Sequence, residues 1–152
     1  MMIIGVILIS VIPLLLGLKK CFGLKTRVNT LKLLCDKFKE ILDEISYTKR
    51  ELRDILKALN ISKYINLDVF PIKINSKALL EDGILKEEII NIENFISSLQ
   101  NGDEKYVKSM GGLYLKKINE QALKAQKELN LKEEIFLKTA AGISVMVFLV
   151  LI

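Results

Sequence analysis

The sequence predicts an all-α fold: a small helical bundle flanked by N- and C-terminal transmembrane helices. Three observations carry this. Residues 1–18 and 139–152 hold no charged side chain, so all 23 Lys/Arg and all 18 Asp/Glu lie in residues 19–138. Within that charged stretch, apolar residues recur at spacings of three and four, the period of one helix face. Turn-forming residues are confined to a few short places. The expected division is an N-terminal anchor (1–18), a cytoplasmic helical domain (19–138) and a C-terminal anchor (139–152).

The first anchor, MMIIGVILISVIPLLLGL, is followed at once by Lys19-Lys20, with Lys25 and Arg27 close behind. A cleaved signal peptide wants its cations at the start and a small-x-small exit. Here the cations follow the apolar run, so a retained anchor is expected. Pro13 and Gly17 are tolerable inside a span.

Residues 27–47 give the clearest amphipathic period. Leu31, Cys35, Phe38, Leu42 and Ile45 form a stripe that Leu34 and Ile41 broaden. Lys49 breaks the register, and Thr48-Lys49-Arg50-Glu51 reads as a capping box opening a second helix over 49–59. Residues 60–76 form a connector with one short helical turn at 62–67. Val69-Phe70-Pro71 ends any helix there, since the residue before proline avoids the α region.

Helical period returns over 78–99 through Leu79, Ile84, Ile89, Ile92, Phe95, Ile96 and Leu99, with Gly83 as an interruption. Gln100-Asn101-Gly102-Asp103 is a turn, and Asp103 is placed to cap a last helix. That helix starts near Glu104 and can run to the end. Its expected seam is Val107, Leu113, Leu115, Ile118, Ala122, Ala125, Leu129 and Leu131, with a bend or close helix contact at Gly111-Gly112. Ile135, Phe136 and Leu137 extend the second anchor, so 135–152 makes about 27 Å of helix against a hydrocarbon thickness of roughly 30 Å. Lys138 can snorkel from the junction.

The positive-inside rule sets the orientation. Lys19, Lys20, Lys25 and Arg27 lie on the same side of the first span as Lys132 and Lys138 do of the second. The charged domain is therefore expected in the cytoplasm, with both termini facing out.

Composition excludes several function classes. The net charge of +5 is dispersed, not gathered into a basic block, so nucleic acid is not an expected partner. The chain has no histidine, which removes the usual general base and the commonest metal ligand. Cys21 and Cys35 fit no metal spacing and are expected as reduced thiols, with acylation of juxtamembrane Cys21 the alternative. Neither phosphate-binding glycine motif occurs. Glu87-Glu88 and Glu133-Glu134 read as solvated helix faces. No catalytic, cofactor-binding or metal residue is therefore assigned, and an enzyme is not expected. Lys49, Arg50 and Arg53 form a small cationic cluster, read either as a solvated face or as a docking patch for an acidic partner.

The layout resembles the stage III sporulation protein AB family of endospore-forming bacteria. The resemblance rests on Leu42-Asp43-Glu44-Ile45-Ser46-Tyr47 opening into a short helix, which is similar to that family's L-x-E-I-x-Y. It rests also on the turn Leu99–Asp103, which is similar to the family's L-G-x-x-D, and on a charged helix entering a glycine-bearing span through Lys138-Thr139-Ala140-Ala141-Gly142. Two positions differ from the pattern. Thr48–Glu51 replaces a proline-bearing segment, and Gln100 replaces a turn glycine.

The resemblance implies a helical domain similar to the cytoplasmic domains of type II secretion platform proteins. It also implies a place in the apparatus joining mother cell and forespore. There the protein would be an adaptor in the mother-cell or outer forespore membrane, contacting membrane lipid and docking a cytoplasmic secretion-type ATPase, with Lys49, Arg50 and Arg53 as the docking residues. Separately, two short spans and a narrow helical seam leave apolar surface that would allow a homo-oligomer. The rival reading is a small two-span pore-former or envelope-structural protein, for which the spans offer few polar residues. A soluble bundle with both ends buried is the third.

Overall fold

The computed structural model describes residues 2–47, 51–101 and 103–151. The chain is mostly helical. Helix α1 spans Met2–Tyr47, α2 Leu52–Ala58, α3 Ser76–Glu81, α4 Lys86–Gln100 and α5 Glu104–Leu151. Two short strands, β1 (Ile65–Asn66) and β2 (Lys73–Ile74), pair antiparallel with Ile65 opposite Ile74.

Helices α1 and α5 are the frame. They have 46 and 48 residues, so each is about 70 Å long. They run antiparallel: Gly17 meets Ala140, Arg27 meets Glu128, and Leu42 meets Gly111. Helix α4 packs along both and completes the bundle.

The α1 stripe faces this core as expected. Leu31, Leu34, Phe38 and Ile41 are fully buried, with Cys35, Leu42 and Ile45 at the margin. Phe38 stacks on Phe95 of α4 with ring centroids 4.2 Å apart. Every apolar position expected on the 78–99 segment is buried as well. Gly83 divides that segment into α3 and α4, and its φ of +81° shows why a glycine stands there.

Four expectations change. The expected helical turn at 62–67 is a turn at 62–64 followed by β1, because Ile65 and Ile72 are drawn into the core and the backbone between them must fold back. Helix α2 begins at Leu52 behind Glu51, whose side chain makes no capping bond. The proposed cap Thr48 lies outside the described residues. On α5, Leu113 and Leu131 are exposed, at 46% and 69%, and Gly111 lies in the seam instead. A Cβ at Gly111 would lie 2.7 Å from Leu42 Cδ2, so the glycine marks close helix contact, and α5 runs through it as one helix. Finally, Glu88 is buried, contrary to the solvated face expected of it.

The turns use local chemistry. Asp103 Oδ1 accepts the Tyr106 N–H at 2.8 Å and caps α5 as expected. Asn60, at φ +54°, closes α2 in the left-handed region that asparagine tolerates.

The two close approaches predict opposite outcomes. At Gly17 a Cβ would sit 2.7 Å from the Ala140 Cβ and 3.3 Å from the Phe136 carbonyl oxygen, neither of which can turn aside. Gly17→Val is expected to cost about 1–3 kcal/mol by overpacking, read as a lower melting midpoint in detergent. Gly111→Ala meets only the tip of a leucine and adds helix propensity, so it should stay within about 1 kcal/mol of wild type.

Candidate functional site

Two regions concentrate polar chemistry, one at each end of the charged domain. The end nearer the apolar helix halves is built around Arg27. Its side chain is only 10% exposed and ties α1 to two other helices. Nε and Nη2 grip both oxygens of Glu88 on α4, at 3.2 and 2.6 Å, in the planar two-bond geometry that guanidinium matches. Nη1 reaches Glu128 on α5 at 2.9 Å. Glu88 Oε2 also accepts the Leu85 N–H at 2.8 Å, so the same carboxylate caps α4.

Around this knot, Lys25 pairs with Glu133 at 2.8 Å, and Lys132 pairs with Glu128. Hydrogen bonding from Lys132, and then from Arg27, holds the Glu128 carboxyl below its ordinary value near 4.5. The sequence reading counted Arg27 as a topogenic cation; the folded chain turns it inward.

The opposite end carries the expected docking residue Arg53. It is exposed on α2, and its Nε donates to the Leu67 carbonyl at 2.9 Å, with Nη2 on the same oxygen. Lys49 and Arg50 lie outside the described residues. Arg53 borders a groove of about 350 Å³ with Leu52, Phe70, Ile72, Leu99 and Gln100. The Gln100 amide holds the Ile72 backbone from both sides, accepting its N–H at 2.7 Å and donating to its carbonyl at 3.0 Å. That clamp presents Phe70, which is 85% exposed.

Sequence reasoning missed Phe70. Val69-Phe70-Pro71 served only as a helix stop, although two apolar side chains in a loop were the available signal.

A second tie anchors the hairpin. Asp82 accepts from Lys63 Nζ at 2.6 Å and Tyr64 Oη at 2.7 Å. Burial alone would raise the Asp82 pKa, but these donors outweigh it and the net direction is down.

Both cysteines are free thiols; Cys21 is buried and Cys35 half-buried. Burial pushes the Cys35 thiol up to about 11, which disfavours the reactive thiolate. Among the described residues, no three His, Cys, Asp or Glu side chains gather as a metal site requires.

Among the described residues, one helix, α5, is long and apolar enough to cross a membrane. Its apolar half packs on α1 at Gly17 and turns Val145, Met146, Leu149 and Val150 outward. Comparison with protein-family models, with curated proteins and with solved structures finds no match.

Arg27→Met strands the Glu88 carboxylate and is expected to cost about 3–5 kcal/mol, whereas R27M/E88M should recover most of it, as read by denaturant unfolding. The pH dependence has a fixed sign. A carboxyl with a lowered folded pKa stabilises fully above its unfolded value and loses that contribution as pH falls through the folded one. Wild-type stability is therefore expected to decline in acid below about pH 4.5. R27M should show a shallower decline.

Proposed function

We propose that this chain is a membrane-anchored platform: two helical anchors hold a compact domain at the cytoplasmic face, where it docks a secretion-type ATPase. On this reading it serves the mother cell–forespore apparatus, as the resemblance to the stage III sporulation protein AB family implies.

The observation that carries it is the shared exit of the two apolar ends. Because α1 and α5 are antiparallel and in contact at Gly17 and Ala140, residues 2–18 and 140–151 leave the same end of the bundle side by side. Two such ends entering one bilayer leave the charged domain on one side of it. Exposed Phe22, Leu131 and Ile135 continue the apolar belt around the base of the domain, where an interfacial zone would lie. Helices α1 and α5 have no break at the junction, so the domain would be held rigidly to its anchors. The Arg53–Phe70 groove, at the far end, is then the surface most accessible to a cytoplasmic motor.

Two measurements test this. In sealed inside-out vesicles carrying C-terminally tagged full-length protein, protease should digest residues 19–138 and leave a protected tagged fragment. Protection of the domain, or release by carbonate, would sink the platform reading. In sporulating cells, crosslinking should recover an ATPase, and Arg53→Glu or Phe70→Ser should reduce that recovery several-fold without lowering the protein's abundance. Equal recovery from wild type and both variants would exclude the groove as the docking surface.

A further inference from the structure

We propose that copies of this chain assemble side by side, the outer face of α5 in one copy seated on the outer face of α1 in the next. The contact uses different residues from the Arg53–Phe70 groove.

The first observation is a pair of rows. On α1, Asn29, Leu33, Asp36, Glu40 and Asp43 follow at alternating steps of four and three residues, which lines them up along one side of the helix. On α5, Leu113, Lys116, Glu120, Leu123 and Lys127 follow at alternating steps of three and four. Every member of both rows is exposed. The leucines among them stand in water, Leu33 at 44%, Leu113 at 46% and Leu123 at 55% exposure.

The second is their charge. The α1 row presents Asp36, Glu40 and Asp43. The lysines of that stretch lie beside it: Lys32 donates to Gln126 at 2.7 Å and Lys37 to Glu40 at 2.9 Å. Lys39 is about 60° round from Leu42, on the side that meets α5. On and beside the α5 row, Lys116, Lys117, Lys124 and Lys127 outnumber Glu120. Among the described residues, Asp36, Asp43, Lys116, Lys124 and Lys127 make no ion pair, whereas Lys108, Lys132 and Lys138 of the same α5 each hold a glutamate four residues earlier.

The third is height. The rows stand between two contacts that set the level of α5 against α1, Arg27–Glu128 and Leu42–Gly111. Counted from either contact at about 1.5 Å per residue, Leu33 is within about 5 Å of the height of Leu123, Asp36 and Glu40 of Lys116, and Asp43 of Leu113.

One chain cannot bring its own rows together. The α1 row lies about 100–180° round from Leu42 and the α5 row about 120–180° round from Gly111, the residues at which the two helices touch. A second copy can. Because α1 and α5 are antiparallel within the chain, seating α5 on the neighbouring α1 with the rows level keeps both copies the same way up, with their apolar ends at one height. A partner of other sequence would need only one of these faces; a second copy accounts for both and for their matching heights. Each copy offers one face of each kind on different sides, so the contact repeats and closes as a ring where the rotation allows.

The test uses full-length protein in mild detergent at low salt, with helix content checked by circular dichroism for each variant. Light scattering after size-exclusion chromatography should show assemblies of more than two copies that shrink as salt screens the exposed charges. Glu40→Lys and Lys116→Glu should each weaken association about fivefold, the upper end for one exposed pair. E40K/K116E exchanges the signs and should recover most of it, and Lys108→Glu, off the row, should leave it unchanged. In oxidised mixtures, L33C with L123C should give linked pairs beyond the wild-type background that neither gives alone, and L33C/L123C in one chain should give a ladder beyond two copies. Monomeric wild type would overturn the proposal. So would assembly indifferent to salt and to both charge reversals, which would trace it to the apolar ends, or a Leu33→Cys variant that links to itself, which would place α1 on α1.

Discussion

The three-way contact of Arg27 with Glu88 and Glu128 is the constraint on which the rest of the bundle depends. An arginine almost out of water must have partners, and a buried carboxylate must have donors. Arg27 and Glu88 answer each other, and because Glu88 also caps α4, the start of that helix is fixed against α1 at one level. Glu128 brings α5 to the same level. Apolar side chains of similar volume would hold the helices about as strongly. They would not fix the register, because leucine and isoleucine pack acceptably one turn up or down, whereas a bidentate pair has one geometry.

From that level the α1–α5 pair extends in two directions of different character. Towards the domain the seam is closed by Phe38 on Phe95 and by Ile118, Ala122, Ala125 and Leu129, a water-driven core. Towards the apolar ends the two helices meet by close backbone approach. The residues found there allow it: Gly17 lets the backbones approach, and Ala140 is the side chain it admits. Small residues recur at Gly111, where α5 meets Leu42.

The far end is built on different terms. The hairpin there is too short to be stable by its own ladder, and it is held by side chains from helices. Gln100 completes the backbone bonding of Ile72 at this end, while the base of the hairpin reaches back towards the Arg27 level, where Asp82 gathers Lys63 and Tyr64. The result is an exposed aromatic on a clamped loop beside a groove. Its position is set by the core beneath it.

The helical period, the helix limits near Tyr47, Gly83, Gln100 and Glu104, and the two uncharged ends are legible in the amino-acid order alone. These follow from local rules: which faces are apolar, where glycine or an Asp cap stops or starts a helix, and where charge is missing. The residues 31, 34, 38 and 41 are legible because their burial depends only on which side of their own helix they occupy. Tertiary structure decided the rest. Leu113 and Leu131 keep helical spacing yet face outward, and Gly111 is buried, because α5 meets α1 and α4 along a line that only their packing defines. Glu88 and Arg27 look like surface charges one at a time and become a buried pair across 61 residues of chain. The hairpin forms because Ile65 and Ile72 are wanted by the core, which two-residue strands cannot announce.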